Sequence, residues 1–267
     1  MPVVPIVTPE DPRIAGYRAI RDGDLLRTLG LFVAEGRLVV ERVLRATRYR
    51  VASLLVNRAS LAALEPTVAA HAPEAATFVC ETRAFPDITG VNVHRGCLAL
   101  VHRPEPAAWR DLVAGARLVV VLEGVTDADN VGGVFRNAAA FGADAVLLSP
   151  TCCDPLYRKA VRTSMAATLS VPFARVEPWP DVLSGLQREG FTLAALSPRD
   201  PSVTLDRFAE SVPDRLALLV GTEGPGLSEA AEAAAAVRVR IAIRREVDSL
   251  NLAVATGIAL SRLTRGL

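Results

Sequence analysis

The chain has 267 residues, 51% of them hydrophobic and 22% charged, which is enough apolar content for one large or two small domains and excludes a disordered tract. A formal net charge of +1 does not announce a nucleic-acid binder through bulk electrostatics. Aromatics make up only 5%, and a composition rich in Ala, Val and Leu favours an α/β protein over a β-sandwich.

Residues 1–12 hold four prolines and read as a loose arm. A helix is expected from Ile14 to Leu29, then a short buried strand over Leu31-Phe32-Val33-Ala34. Gly36 opens a helix with Leu38, Val39, Val43 and Leu44 on one face. Strands are expected at Val51–Val56, Thr77–Cys80 and Gly96–His102, with a helix over Leu61–Ala70. Arg103-Pro-Glu-Pro106 is the best linker, because two prolines in four residues block helix and central strand alike. The expected domains are therefore 1–104 and 105–267. The first carries 13 Arg and no Lys against 10 acidic residues, and the second 17 basic against 19 acidic.

The second half alternates strands (118–122, 145–149, 173–176, 192–196, 216–220, 237–243) with helices (131–141, 156–168, 183–189, 229–236, 249–263). That βαβ spacing argues for a parallel sheet. Cys80, Cys97, Cys152 and Cys153 form no CxxC pair, and His71, His94 and His102 are not spaced as ligands, so no metal is expected. No apolar run approaches a membrane span, no basic stretch with an apolar core opens the sequence, and a reduced cytoplasmic protein is the default.

Three segments of the second half carry chemistry. In Leu122-Glu-Gly-Val-Thr-Asp-Ala-Asp-Asn130-Val-Gly-Gly-Val-Phe-Arg136, an apolar strand opens onto a polar loop and a helix. Such a strand end is where parallel sheets bind ligands. Read locally, Asn130 is also a helix cap and Arg136 a solvated helix residue. In Gly221-Thr222-Glu223-Gly224-Pro225-Gly226, three glycines in six residues follow a buried strand, giving either a cofactor cradle or a tight turn. In Ile241-Ala-Ile-Arg-Arg-Glu-Val-Asp248-Ser249-Leu250-Asn251, a strand gives way to a polar loop and a last helix. Asp248 or Ser249 is the expected cap, with Leu250, Ala253, Val254, Gly257 and Ile258 on one face.

Together, in this order and spacing, the segments resemble the SpoU/TrmH branch of the SPOUT RNA methyltransferases. The first motif matches Asn130, Gly132 and Arg136. The second matches Gly221, Glu223, Gly224 and Gly226, and the third Ser249, Leu250 and Asn251. The similarity covers about residues 118–263, and Arg162-Thr-Ser164-Met-Ala adds to it. Phe32-Val-Ala-Glu35-Gly36 and Gly96-Cys-Leu-Ala resemble the small L30e-like RNA-binding domain fused in front of some members. Departures are Ala242 where proline usually follows Ile241, the crowded Arg244-Arg245-Glu246, and Ser164-Met165-Ala166 in place of Ser-Ala-Gly.

The resemblance implies a C-terminal α/β domain with a deep trefoil knot, an exception to the rule against threading. It implies a homodimer, transfer of a methyl group from S-adenosylmethionine to a ribose 2′-hydroxyl without metal, and ribosomal RNA ahead of transfer RNA as substrate. The implied cofactor contacts are Leu196, Gly221, Thr222, Glu223, Ile241 and Leu250. The implied catalytic set is Asn130, Arg136, Glu223, Ser249 and Asn251. Arg136 is the group nearest the hydroxyl, favoured as a positioning residue because a guanidinium rarely loses its proton. Two basic runs are candidates for phosphate contact: Arg42, Arg45, Arg48 and Arg50, and Arg158, Lys159 and Arg162. A Rossmann oxidoreductase is disfavoured, since GxGxxG and an acid after the second strand are both missing. A catalytically silent RNA-binding protein of the same fold is the non-enzymatic alternative.

Overall fold

The computed structural model describes residues 2–18, 22–90, 93, 96–244, 246–247 and 249–264. His94, Arg245 and the candidate cap Asp248 lie outside them. In chain order the first part supplies β1 (Val3–Pro5), α1 (Asp22–Asp24), β2 (Leu31–Glu35), α2 (Arg37–Arg45), β3 (Val51–Val56), α3 (Arg58–His71), β4 (Ala76–Val79), α4 (Phe85–Thr89) and β5 (Cys97–His102). Next come α5 (Trp109–Val113), β6 (Leu118–Glu123), α6 (Ala128–Ala140), β7 (Ala145–Leu148), α7 (Arg158–Thr163), β8 (Phe173–Arg175), α8 (Val182–Arg188) and β9 (Thr192–Leu196). The chain finishes with β10 (Val203–Thr204), α9 (Leu205–Phe208), β11 (Leu216–Gly221), α10 (Glu229–Ala234), β12 (Val237–Arg240) and α11 (Leu252–Leu263).

The chain divides into two compact units: Met1–Glu105 with Leu156–Ala166, and Pro106–Pro155 with Ala167–Leu267. The first holds a five-stranded sheet in the order β1-β4-β3-β5-β2. There β1, β4 and β3 run parallel, while β5 is antiparallel to both β3 and β2. The expected loose arm thus supplies an edge strand, where a proline such as Pro5 costs no ladder bond. The expected helix from Ile14 to Leu29 is instead a 3-10 helix over Pro12–Tyr17 and, after residues 19–21, α1 and a π turn over Leu25–Leu29. A 3-10 turn eclipses residues three apart. That puts Ile14 and Tyr17, both 0% exposed, on the same side of the core. The Tyr17 hydroxyl finds Ser53 Oγ at 2.9 Å, so its burial leaves no orphan donor. Helix α2 buries Val39, Val40, Val43 and Leu44, with Leu38 turned outward at 45% exposure.

Glu35 at the end of β2 is 3% exposed. A carboxylate buried that deeply needs cations, and α7 provides them: Arg158 Nη1 lies 2.9 Å from Oε2, and Arg162 Nη1 3.7 Å from Oε1. Arg158, a candidate for phosphate contact, is turned inward, whereas Arg162 keeps its side chain 51% exposed. Of the other basic run, Arg42 donates to the Met165 carbonyl and Arg45 pairs with Glu41 at 2.9 Å. Arg48 lies 4.9 Å over the Tyr49 ring, and Arg50 is exposed. The expected helix 156–168 stops early because Met165 and Ala166 adopt φ of 52° and 68°, outside the right-handed helical region.

The second unit holds a seven-stranded, wholly parallel sheet in the order β10-β12-β9-β11-β6-β7-β8. Its central strands are buried from end to end, as expected for a sheet covered on both faces. One face packs Val119, Val121, Leu147, Leu193 and Leu219 against Leu183 and Leu186 of α8 and Ala231 of α10. Helices α6 and α11 pack closely: a Cβ on Gly133 would meet Ala253 Cβ at 2.5 Å, and one on Gly257 would meet Asn137 Nδ2 at 2.9 Å. Gly133 therefore serves helix packing, and Asn137 Nδ2 seals the contact by donating to the Ala253 carbonyl at 2.6 Å.

The four cysteines Cys80, Cys97, Cys152 and Cys153 are free and buried. Burial pushes the Cys80 thiol up to about 11 and the Cys97 thiol up to about 12, so both stay protonated. No helix among the described residues is long and apolar enough to cross a membrane.

The Glu35 pair gives a direct test of the first unit. Among the described residues, Arg158→Ala leaves the carboxylate with the longer Arg162 contact alone and should destabilise this unit by about 3 kcal/mol. Amide exchange of Phe32 and Val33 under mild denaturant reads that loss locally, and unchanged protection would show that the pair contributes nothing.

Candidate functional site

Because every strand of the second sheet is parallel, all carboxyl ends reach the same edge, and the loops that follow gather there. Adjacent β12, β9 and β11 end around a cleft of about 250 Å³. One wall is Leu196, Ser197 and Pro198 after β9, and another is Val220 to Gly224 with Gly226 after β11. The third is Val239, Arg240, Ile241 and Ile243 with Ser249, Leu250, Leu252 and Ala255. The six residues expected to touch a cofactor, Leu196, Gly221, Thr222, Glu223, Ile241 and Leu250, all line this one cavity, and Ser249 joins them. The strand expected to reach Ile243 ends at Arg240, so Ile241 and Ile243 sit in irregular chain facing the cleft.

The glycine loop folds back over its own strand. Gly226 N donates to Thr222 O at 3.0 Å, and Gly224 and Gly226 take φ of 83° and 76°. A Cβ on Gly221 would lie 2.2 Å from Gly226 C and 2.3 Å from Leu227 N, so only glycine lets the chain return so close. Glu123 anchors the far end of the loop: its Oε1 accepts from Ser228 Oγ and Trp179 Nε1, both at 2.7 Å, and its Oε2 from Ser228 N at 2.8 Å. Gly221 pairs with Glu123 across β11 and β6, which sets the first two motifs side by side.

Asn251 joins all three motifs. Its Nδ2 donates to Asn130 Oδ1 at 2.9 Å and to Glu223 Oε1 at 3.0 Å, while its Oδ1 accepts from Val254 N at 3.2 Å. Asn251, not Asp248 or Ser249, is thus the cap of α11. Likewise Asp127 caps α6, accepting from Asp129 N at 2.6 Å, and Asn130 lies inside the helix, 8% exposed. That placement frees the Asn130 side chain to meet Asn251. Helix α11 buries Leu252, Thr256, Ala259, Leu260 and Leu263, whereas Val254 and Ile258 of the expected inner face are 52% and 37% exposed.

Arg136 stands apart. It is exposed on α6, does not line the cleft, and makes no hydrogen bond or ion pair among the described residues. Among the described residues Asn130, Ser249 and Asn251 make no hydrogen bond to Arg136; Asn251 instead bonds both Asn130 and Glu223.

One cluster escaped the sequence reading. Glu232 of α10, 6% exposed, accepts from Ser197 Oγ at 2.7 Å and faces Arg199 at 3.4 Å and Arg238 at 3.2 Å. Burial raises its pKa, but the Ser197 hydroxyl and the two guanidinium groups outweigh burial and hold it below the usual 4.5. A depressed carboxylate stabilises the fold above its unfolded pKa, and that contribution is lost as pH falls through the folded value. No short-range pattern links residues so far apart in the chain. Glu123, by contrast, ends an apolar strand and could have been read from its position. Among the described residues, no group of three or more His, Cys, Asp or Glu is placed to hold a metal ion.

Residues 117–261 match the SpoU rRNA Methylase family. An uncharacterized tRNA/rRNA methyltransferase of Mycobacterium tuberculosis is 42% identical over 266 residues, covering 97% of this chain and 91% of that protein. The 23S rRNA (adenosine(1067)-2′-O)-methyltransferase of Streptomyces azureus is 31% identical over 166 residues, 61% of each chain. An AdoMet-bound rRNA methyltransferase from Sinorhizobium meliloti shares the fold with a TM-score of 0.84 at 24% identity, over 99% of this chain and 98% of that one.

Asn251→Ala removes a helix cap and leaves the buried Asn130 oxygen without its donor. It should cost about 2 kcal/mol in urea denaturation, roughly half of it from the cap. Asn251→Ser keeps a capping oxygen on a shorter side chain that lacks the amide donor, so a cost near zero for serine would remove the junction's special role.

Proposed function

The chain belongs to the SpoU rRNA methylase family of S-adenosylmethionine-dependent RNA methyltransferases, and from that premise we propose that its acceptor is a ribose 2′-hydroxyl in ribosomal RNA. The observation that carries the reading is the convergence of Leu196, Gly221, Thr222, Glu223, Ile241 and Leu250 on one cleft at the carboxyl ends of parallel strands.

The residues present fit S-adenosylmethionine. Leu196, Val220, Val239, Ile241 and Leu250 offer apolar walls for a flat base, and the glycine loop brings backbone groups to the rim without intervening side chains. The cofactor, when bound, supplies a methyl group already activated by its sulfonium. The protein's part is then alignment and proton handling. Glu223, fixed through Asn251 and Asn130, holds the loop that walls the cofactor. Ser249 presents a hydroxyl at the opening. Arg136 orients the ribose and grips the neighbouring phosphate, as a fork-shaped cation that stays charged.

Arg136 lies outside its own chain's cleft, and the family resemblance implies that it serves the site of a second copy in a homodimer. The knotted C-terminal topology belongs to the same proposal. The first unit acts as the L30e-like RNA-binding module, with Arg48 and Arg50 toward phosphate, and the enzyme works in the cytoplasm. Ribosomal RNA is favoured because the Streptomyces azureus relative is named for 23S rRNA 2′-O-methylation. Transfer RNA is the second reading, since the Mycobacterium tuberculosis relative is named for either RNA.

Radiolabelled methyl transfer to separated ribosomal and transfer RNA from a host lacking the gene tests this. Label surviving in an alkali-resistant dinucleotide from ribosomal RNA is the expected result. Label in transfer RNA changes the substrate, and label on a base removes the ribose chemistry. Binding of cofactor with no transfer to any RNA favours the silent RNA-binding alternative. Arg136→Ala should lower kcat by about 100-fold or more with unchanged Tm and unchanged cofactor Kd. Near-full turnover in that variant would end its assigned role.

A further inference from the structure

A buried carboxylate outside the cleft contacts residues that belong to its walls. Glu232 does not line the cavity, yet each of its contacts leads to a different wall. Its Oε1 accepts a hydrogen bond from the hydroxyl of Ser197, which lines the cleft after β9. Its Oε2 lies 3.2 Å from Arg238 Nε on β12, just before Val239 and Arg240, which line the opposite side. The same Oε2 lies 3.4 Å from Arg199 Nη1. Arg199 then reaches the glycine loop, donating from Nη2 to Pro225 O at 2.8 Å and from Nη1 to Leu227 O at 3.5 Å. The wall after β9, the glycine loop and β12 are therefore tied to one buried anion.

Backbone carbonyls of a glycine-rich loop have few side chains to fix them. A guanidinium bridging two of them supplies that rigidity, provided the guanidinium is itself held. Glu232 holds it. We propose that Glu232 is a positioning residue for cofactor binding, acting through Ser197, Arg199 and Arg238 to keep three walls of the cleft at the separation S-adenosylmethionine requires. This rests on the reading of the cleft as the cofactor site. A purely fold-stabilising role makes a different prediction. It would lower Tm and leave the binding constant of folded protein untouched.

The test compares the full-length protein with Glu232→Gln and Arg199→Ala well below the melting transition. Calorimetric Kd for S-adenosylmethionine is measured alongside KM and kcat for methyl transfer. Glutamine keeps an acceptor for Ser197, removes the charge and turns an amide donor toward the two guanidinium groups, so it breaks both arginine contacts. Both variants should raise Kd and KM for the cofactor about tenfold, with kcat at saturating cofactor within about twofold of wild type. Lower Tm with unchanged Kd and KM would overturn the proposal, as would a fall in kcat with KM unchanged. If Glu232→Gln does not fold, Arg199→Ala decides alone, since its side chain is 49% exposed and its loss creates no cavity. Wild-type protein that takes up no S-adenosylmethionine would overturn the reading of the cleft and this proposal with it. Wild-type and variants binding alike would overturn this proposal only.

Discussion

One carboxamide holds the site together. The Asn251 nitrogen reaches back 121 residues to Asn130 and 28 residues to Glu223, while its oxygen starts α11. Each bond is worth little alone, about 1 kcal/mol net. Their joint effect is geometric: α6, the glycine loop and α11 cannot shift independently without leaving a polar atom unpaired. The buried oxygen of Asn130 makes that penalty asymmetric, because loss of its donor strands it away from water. The close packing at Gly133 and Gly257 then fixes the same two helices along their length.

A wholly parallel sheet is what makes such a junction possible. It delivers every strand end to one edge, so three segments far apart in the chain become neighbours. The register sharpens this. Gly221 lies opposite Glu123, and Leu196 opposite Val239, so the loops leave the sheet at matched heights. The glycine loop is pinned at Glu223 by Asn251, at Pro225 and Leu227 by Arg199, and at Ser228 by Glu123. A loop held at so many points is a prepared surface, with little ordering left to do when a ligand arrives.

What was legible in the sequence followed from short-range patterns. Apolar runs such as Leu118–Leu122 and Leu216–Val220 announce buried parallel strands, and the family resemblance implies that Gly221, Ile241 and Leu250 belong to one site. What was not legible depends on tertiary partners. Nothing local says that Asp127 rather than Asn130 caps α6, since both are good caps. The inner face of α11 was misjudged because Ala253 and Gly257 are small for the sake of α6, which leaves Val254 and Ile258 turned toward solvent. The 3-10 turn at Pro12–Tyr17 exists to bury Ile14 and Tyr17 together, a demand of the core and not of local propensity. Basic runs misled for a related reason. Arg158 looks like a residue free for phosphate until the buried Glu35 that it pairs with is known.

The position of Arg136 bears on the proposed chemistry. The residues that line the cleft are apolar side chains, loop backbone, hydroxyls and the carboxylate of Glu223, with Arg240 at one side already engaged by Ser202 and facing Asp200 at 3.9 Å. Such a lining can seat a nucleoside, and among its described residues no cation is uncommitted. Arg136 is the cation that the first motif supplies, and it stands on α6 without a partner among the described residues. Under the proposed function, and as the family resemblance implies, the two halves of the site meet across two copies of the chain. A guanidinium that keeps its proton cannot draw one from the ribose; it can only lower the cost of the negative charge that develops on the oxygen. Catalysis in this reading comes from where that charge is allowed to form, and association of two copies is the step that puts the arginine beside it.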